Sequence, residues 1–222
     1  MDENVKKLII ASIVLVLAAL YGGKTLGSWF YVEGEMENSG NYTESIEFTA
    51  NFNLKGWEYE VIIEENGGKE DYDGDPDYDD NDCSLPDSSS SSDCDELYDL
   101  MQGQIQNLLY VVILAGGAAL YFLNDGDEEK GALACLAMGG ASLLAVALFA
   151  LNFPEALDDD TEAFELIDDD PSLLGDDNDY GEDLFDDSEI DSQVKWRPGF
   201  AFILVALSGL VGFGAYAELK NK

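Results

Sequence analysis

The residues of this chain that are best suited to chemistry are closely spaced aspartates. They lie in one acidic stretch, at Asp71, Asp73, Asp75, Asp77 and Asp79. A hard cation such as Ca²⁺ takes about six to eight oxygen ligands, and carboxylates on one short segment can supply several of them. We therefore consider this stretch a candidate Ca²⁺ site, although Pro76 stands where an EF-hand loop requires glycine. The alternative is diffuse attraction of cations to a solvated acidic surface.

Groups that could perform catalysis are scarce. The chain contains no histidine, and Cys135 lies inside a long apolar stretch, where packing is its expected role. No glycine-rich phosphate-binding loop follows a strand. The formal net charge of -37 opposes binding to nucleic acid. The sequence therefore predicts a protein that is not an enzyme and has no cofactor, apart from the candidate Ca²⁺.

Two further motifs indicate an oxidising, extracellular environment for the first polar loop. Cys83 and Cys94 are spaced as a natural disulfide pair. Asn41 begins the triplet Asn-Tyr-Thr, which is an acceptor sequence for N-glycosylation.

Four apolar stretches are each long enough to cross a bilayer. A helix rises about 1.5 Å per residue, so roughly 20 apolar residues span a hydrocarbon core about 30 Å thick. The four stretches are Leu8–Phe30, Ile105–Leu123, Gly131–Phe153 and Gly199–Ala217. Glycine pairs such as Gly139-Gly140 would let these helices approach closely. We predict a membrane protein with an all-α four-helix bundle. The alternative for the first stretch is a signal peptide.

The charge distribution predicts how the chain is oriented. Of the 47 acidic residues, 22 lie between Glu33 and Asp99 and 18 between Glu155 and Asp191. These two segments connect spans one to two and three to four, so they share one side of the membrane. The opposite side carries Lys6, Lys7, Lys130, Lys220 and Lys222. The positive-inside rule then places both termini in the cytoplasm and both acidic loops outside the cell membrane.

A β-hairpin is predicted just after the first span. Apolar and polar residues alternate strictly over Ser45–Leu54 and again over Trp57–Glu64, with Lys55-Gly56 as a two-residue connection. Trp29–Glu37 would add a third strand to an antiparallel meander. One face of this sheet is apolar and must be covered. The expected fold is therefore α+β overall, with a small extracellular sheet.

The remaining polar segments show little periodicity. Gly67–Asp82 and Ser88–Ser92 are predicted to be loops. Asp95–Gln106 is predicted to extend the second helix outside the bilayer, with acidic residues at its N-terminus. Pro154–Val194 is predicted to be an acidic linker with short apolar clusters, which either dock on the hairpin or stay solvated.

These predictions divide the chain into five segments. They are the N-terminus with the first span (1–30), the first outer loop (31–104), the second and third spans (105–153), the second outer loop (154–198), and the fourth span with the C-terminal tail (199–222).

Several of these features occur together in one known superfamily. They are Gly56-Trp57 on the hairpin, Cys83 and Cys94 before the second span, and the helical run Asp95–Leu109. With them, the chain resembles the claudins and peripheral myelin proteins. The chain departs from that pattern because Cys83 lies 26 residues beyond Trp57, past an acidic insertion. Its second outer loop is also much longer than that of a claudin.

The resemblance implies a left-handed bundle with an extracellular sheet that acts through contacts with other proteins. The expected function is that of a scaffold, an adhesion protein or an accessory subunit. The expected partners are membrane lipid together with a protein partner or further copies of the chain, bound through the spans and the outer loops. The competing hypothesis is a Ca²⁺-binding membrane protein or an ion conduit.

Overall fold

The computed structural model describes residues 3–38, 44–65, 68–75, 77–78, 94–161, 172–177 and 190–221. The chain folds into two compact units. The helical unit comprises Met1–Ser28, Met101–Ala150 and Gly199–Lys222, and the sheet unit comprises Trp29–Leu100 and Leu151–Pro198. The predicted α+β class is confirmed.

Within the described residues, four helices are long and apolar enough to cross a membrane, as predicted. They cover Glu3–Tyr21, Asp95–Asp125, Glu128–Asp160 and Phe200–Lys220. The individual elements are α1 (Glu3–Tyr21), α2 (Gly23–Leu26), α3 (Asp95–Tyr98), a π-helical segment (Asp99–Gln106), α4 (Asn107–Asp125), α5 (Glu128–Thr161) and α6 (Phe200–Lys220). Each long helix exposes large apolar side chains, for example Val14, Leu114, Leu151 and Leu210. Such a surface suits contact with lipid.

The ends of two helices differ from the predicted ones. Helix α1 ends at Tyr21 instead of continuing to Phe30, because Gly23 adopts a left-handed backbone with φ of 64° that interrupts the helix. Helix α5 continues through Pro154 to Thr161, eight residues beyond the predicted end at Phe153. Pro154 lacks an amide hydrogen and usually kinks or breaks a helix interior, but here the helix continues.

Close approach between α5 and α6 depends on glycine. A β-carbon added to Gly139 would lie 3.0 Å from the carbonyl oxygen of Gly209, and one added to Gly212 would lie 2.9 Å from the Cα of Gly139. By contrast, a β-carbon at Gly140 would meet nothing within 4 Å. The predicted packing role therefore holds for Gly139 and not for its neighbour.

The sheet unit contains a six-stranded sheet in the order β4-β3-β2-β1-β6-β5. Its strands are β1 (Phe30–Asn38), β2 (Glu44–Phe52), β3 (Trp57–Glu65), β4 (Gly68–Gly74), β5 (Gly175–Asp177) and β6 (Ile190–Pro198). All pairings are antiparallel. The predicted three-stranded meander, formed by β1, β2 and β3, is confirmed.

The β2–β3 turn lies one residue earlier than predicted. The amide of Asn53 donates to the carbonyl of Gly56 over 2.9 Å, so Leu54 and Lys55 form the tip. The side-chain oxygen of Asn53 accepts hydrogen bonds from the amides of Lys55 at 2.8 Å and Gly56 at 3.2 Å. Asparagine commonly stabilises turns in this way.

Three strands lie in segments that were predicted to be loops. Strand β4 lies within the acidic stretch after the hairpin, and β5 and β6 lie within the second outer loop. Strand β6 pairs with β1 along its whole length, from Phe30 opposite Pro198 to Asn38 opposite Ile190. The pairing therefore joins one strand from each of the two acidic segments in a single sheet.

The apolar core of the sheet unit is aromatic. Phe30, Phe52 and Trp57 are buried, and Phe153 from the end of α5 packs on the first two with ring centroids 4.9 and 5.6 Å away. Phe52 also stacks on Trp57 at 5.6 Å. The end of α5 therefore covers part of the apolar face that the alternation of residues predicted.

Candidate functional site

One face of the sheet carries many acidic residues on strands β1 to β4. Alternation along these strands places most of the aromatic residues on one face and most of the carboxylates on the other. On the face opposite the aromatic core lie the acidic residues Glu33, Glu35, Glu47, Glu58, Glu60, Glu64, Asp71 and Asp73. We call this surface the acidic face. Most of these carboxylates are exposed, with Glu33 and Glu58 half-buried.

Like charges lie directly opposite each other on the acidic face. Glu35 on β1 is the register partner of Glu47 on β2, and Glu60 on β3 is the register partner of Asp73 on β4. Directly opposed like charges destabilise a sheet by a fraction of a kcal/mol to about 1 kcal/mol. This arrangement does not favour the isolated sheet, and its negative charge attracts cations and basic groups.

The basic residues of this face lie on the outer strands. Arg197 on β6 approaches Glu33 at 3.8 Å and stacks over the ring of Tyr31 at 5.0 Å. Lys69 on β4 approaches Asp71 at 3.5 Å. Lys195 on β6 donates to the side-chain oxygen of Gln193 over 2.7 Å. The sequences of the three strands β1, β2 and β3 contain no lysine or arginine.

Burial and the neighbouring Glu33 act on the pKa of Tyr31 at the edge of this face. Burial raises the pKa of Tyr31, and the hydrogen bond and charge of Glu33 raise it further, while Arg197 lowers it. The phenol therefore remains protonated at neutral pH, where it can offer a hydrogen-bond donor beside the guanidinium group.

Three glycines that lie opposite aromatic residues help to fix the strand register, and with it the set of residues on each face of the sheet. Three glycines, Gly34, Gly74 and Gly175, are register partners of Phe48, Tyr59 and Trp196 respectively. A β-carbon at Gly74 would lie 2.5 Å from the ring of Tyr59, and β-carbons at the other two would also collide with the opposing rings. An aromatic ring that covers a cross-strand glycine pins the register of a sheet. The acidic face is therefore held on the opposite side.

The four predicted Ca²⁺ ligands that the structure describes are not gathered into a chelating group. Asp71 and Asp73 lie on strand β4, and Asp75 follows it. Asp77 is held at a backbone bridge with Gly56. Asp79 lies outside the described residues. Within the part of the chain that the structure describes, no group of three or more acidic or cysteine side chains is close enough to hold a metal ion.

A buried polar cluster was not predicted from the sequence. Asp160, near the end of α5, is 6% exposed and accepts hydrogen bonds from the amides of Leu97 at 2.8 Å and Glu96 at 3.4 Å. These amides belong to the first turn of α3, which has unsatisfied donors. Asp160 therefore caps a helix 63 residues away in the sequence.

Tyr78 lies in the same electrostatic environment. Its side chain is fully buried, and its hydroxyl has no hydrogen-bond partner among the described residues. Burial raises the pKa of Tyr78, and the negative charges of Asp160 and Asp77 raise it further. The hydroxyl is therefore a buried neutral group beside carboxylates.

Three serines form the polar centre of the helical unit. Ser12 of α1, Ser142 of α5 and Ser208 of α6 are fully buried. The hydroxyl of Ser208 lies 2.7 Å from that of Ser12 and 3.3 Å from that of Ser142. Ser142 also donates to the carbonyl of Met138 over 3.1 Å. These hydrogen bonds link three helices.

The remaining predicted site residues have different outcomes. Cys94 is buried directly before α3, whereas Cys83 lies outside the described residues, so the disulfide between them stays a prediction. Asn41 also lies outside the described residues. Cys135 is buried inside α5 as a free thiol, in agreement with a packing role.

Comparison with models of known protein families finds no match, and comparison with curated proteins also finds no match. The resemblance to claudins and peripheral myelin proteins therefore stays a prediction.

Proposed function

We propose that this chain is a non-enzymatic, four-span membrane protein that acts as a scaffold, adhesion protein or accessory subunit through the acidic face. In this proposal the protein lies in the plasma membrane, both termini are cytoplasmic, and the sheet unit is extracellular. The proposal retains the resemblance to claudins and peripheral myelin proteins, by convergence or as a distant branch.

The observation that carries the proposal is the acidic face itself, whose carboxylates lie on β1, β2, β3 and β4 and include two directly opposed like-charge pairs. Directly opposed like charges are better explained by binding than by stability of the sheet. Strand β6, from the second acidic segment, pairs with β1 and contributes Lys195 and Arg197 to the margin of this face. The apolar surfaces of the four long helices support insertion in a membrane.

A photo-crosslinking experiment in intact cells tests this proposal. A benzophenone amino acid replaces Thr49, which lies at the centre of the acidic face, or Glu128, which lies at the start of α5. We expect discrete cross-linked complexes from position 49 and none from position 128. The absence of any complex from position 49 would contradict a role in binding partners through this face.

Ca²⁺ binding is the second candidate function, and the opposed pairs Glu35–Glu47 and Glu60–Asp73 are the observation that favours it. Calorimetric titration of the full-length protein in nanodiscs tests it. Saturable binding at or below millimolar Ca²⁺ that disappears when the two pairs are neutralised supports a specific site. A conduit receives less support, because the buried polar side chains of the helical unit that the structure describes are serines.

A further inference from the structure

We infer that the acidic face docks a different protein, one that presents a surface rich in lysine and arginine. This inference rests on the proposed function, and it names the chemical class of the partner. It also excludes contact between two acidic faces as the way in which copies of this chain would adhere.

The arrangement of charge on the three central strands supports this inference. Adjacent strands are about 4.8 Å apart, and alternate residues along a strand are about 6.7 Å apart. Both distances are shorter than the screening length of about 8 Å at physiological salt, so the negative potentials of neighbouring carboxylates add. Glu33, Glu35 and Glu47 are neighbours of this kind on β1 and β2, Glu58 and Glu60 are neighbours of this kind on β3, and together these five carboxylates form a grid.

The basic residues of the chain leave this grid largely unneutralised. Arg197 approaches Glu33 and Lys69 approaches Asp71, and Lys195 is the register partner of Glu33. Both ion pairs are well exposed to solvent, so each contributes at most about 1 kcal/mol. Strands β1, β2 and β3, which carry Glu35, Glu47 and Glu60, contain no lysine or arginine, and Lys69 on β4 lies opposite Glu64 and not opposite Glu60.

The size of the face is sufficient for a stable protein complex. Nine residues at about 3.3 Å each give a length of about 30 Å, and five strands at about 4.8 Å give a width of about 24 Å. The resulting area of about 700 Å² is close to the roughly 800 Å² that each partner buries in a standard protein–protein interface.

Charge complementarity decides between the classes of partner. Nucleic acid and anionic lipid carry the same sign of charge as the face and are repelled. A second copy that met this face with its own acidic face would bring like charges together, which costs several kcal/mol across an interface. A basic protein surface gains both from attraction and from relief of the repulsion within the face.

The test uses the full-length protein in zwitterionic nanodiscs and a fluorescent octalysine peptide as the probe. The face variant carries E35Q, E47Q, E60Q and D73N. The matched control carries D95N, D99N, E155Q and D159N, which remove the same charge from exposed positions of the sheet unit outside the sheet. We expect the face variant to weaken peptide binding at least tenfold, and the control to weaken it less than threefold.

Two results would overturn the inference. Equal weakening by both variants would show that the peptide responds to total charge and not to this face. Association of the unmodified protein with itself in millimolar Ca²⁺, abolished in the face variant, would identify a second copy as the occupant. In either case, position 49 can still form photo-crosslinked complexes in cells, so the crosslinking experiment tests the proposed function separately. If the peptide binds selectively to the acidic face but position 49 forms no complexes in cells, only the proposed function is contradicted.

Discussion

Glu60 and Asp73 are register partners on adjacent strands of the acidic face, and both carboxylates are exposed. Four residues further along β3, Glu64 is the register partner of Lys69. The same pair of strands therefore contains one repulsive and one attractive pair on one face. Neutralising Glu60 and neutralising Glu64 remove the same charge from the same strand. Any difference in their effects on the stability of the protein therefore comes from the charge of the residue opposite.

Neutralising Glu60 should stabilise the sheet at low ionic strength. We expect E60Q to raise the free energy of unfolding by roughly 0.3–1 kcal/mol, because it removes an opposed like-charge pair. E64Q is the matched control and should lower stability slightly, because it removes an attractive pair. Thermal unfolding in 20 mM and 1 M salt measures both effects, which should shrink at high salt. Equal shifts in the two variants would contradict this explanation.

Gly139 and Gly140 are adjacent, but Gly139 lies against α6 and Gly140 faces open space. The pair therefore gives a test of helix packing. We expect G139L to destabilise the protein by about 1–3 kcal/mol, because a side chain there would force α6 away. G140L should change stability by less than about 0.5 kcal/mol, because that position faces open space. Unfolding of both variants in detergent checks the prediction. A tolerated leucine at position 139 would show that α5 and α6 do not approach closely.

Removal of the Tyr78 hydroxyl should leave stability unchanged or increase it. A buried hydroxyl without a partner costs about 1–3 kcal/mol of desolvation, and Y78F removes it while keeping the ring. Denaturant unfolding at pH 7 measures the change. A loss of more than 1 kcal/mol would mean that the hydroxyl makes a stabilising hydrogen bond.

The raised pKa of Tyr78 predicts how stability depends on alkaline pH. The unfolded tyrosine loses its proton near pH 10, whereas the folded, buried phenol keeps it. The part of the free energy of unfolding that comes from this difference in pKa is therefore fully present below pH 10, and it is lost as pH rises above 10 because the unfolded state then gives up its proton. Unfolding measured between pH 9 and 11 should show a shallower loss of stability in Y78F than in the unmodified protein. Identical slopes would contradict burial of the phenol.

The cap that Asp160 provides to α3 gives another prediction. We expect D160A to lower stability by about 1 kcal/mol, because the amide of Leu97 loses its acceptor. Hydrogen exchange of the segment that contains Glu96 and Leu97 should become faster. D159A changes the exposed neighbour and should leave this exchange unchanged. Unaltered exchange in D160A would exclude the cap.

The sequence predicted the elements that are marked by a local pattern, either a long apolar run or a strict alternation of apolar and polar residues. The four long helices followed from apolar length, and β2 and β3 followed from strict alternation of apolar and polar residues. The orientation of Phe52 and Trp57 toward the core followed from the same alternation.

Other features could not be predicted because they depend on residues far apart in the sequence. Strand β4 has almost no apolar residues, and it pairs at an edge where backbone hydrogen bonds suffice. Strand β6 is recognisable only through its pairing with β1, more than 150 residues away. The acidic face, the Asp160 cap and the contacts of Ser208 depend on these tertiary contacts in the same way.

The most direct test of the account is the accessibility of single cysteines to a membrane-impermeant thiol reagent in intact cells, with the unmodified protein as the baseline. E47C on β2 and K195C on β6 should both be labelled from outside, because their strands belong to one extracellular sheet. E128C, at the start of α5, should be labelled only after permeabilisation. Protection of either strand position, or labelling of position 128 in intact cells, would contradict the account.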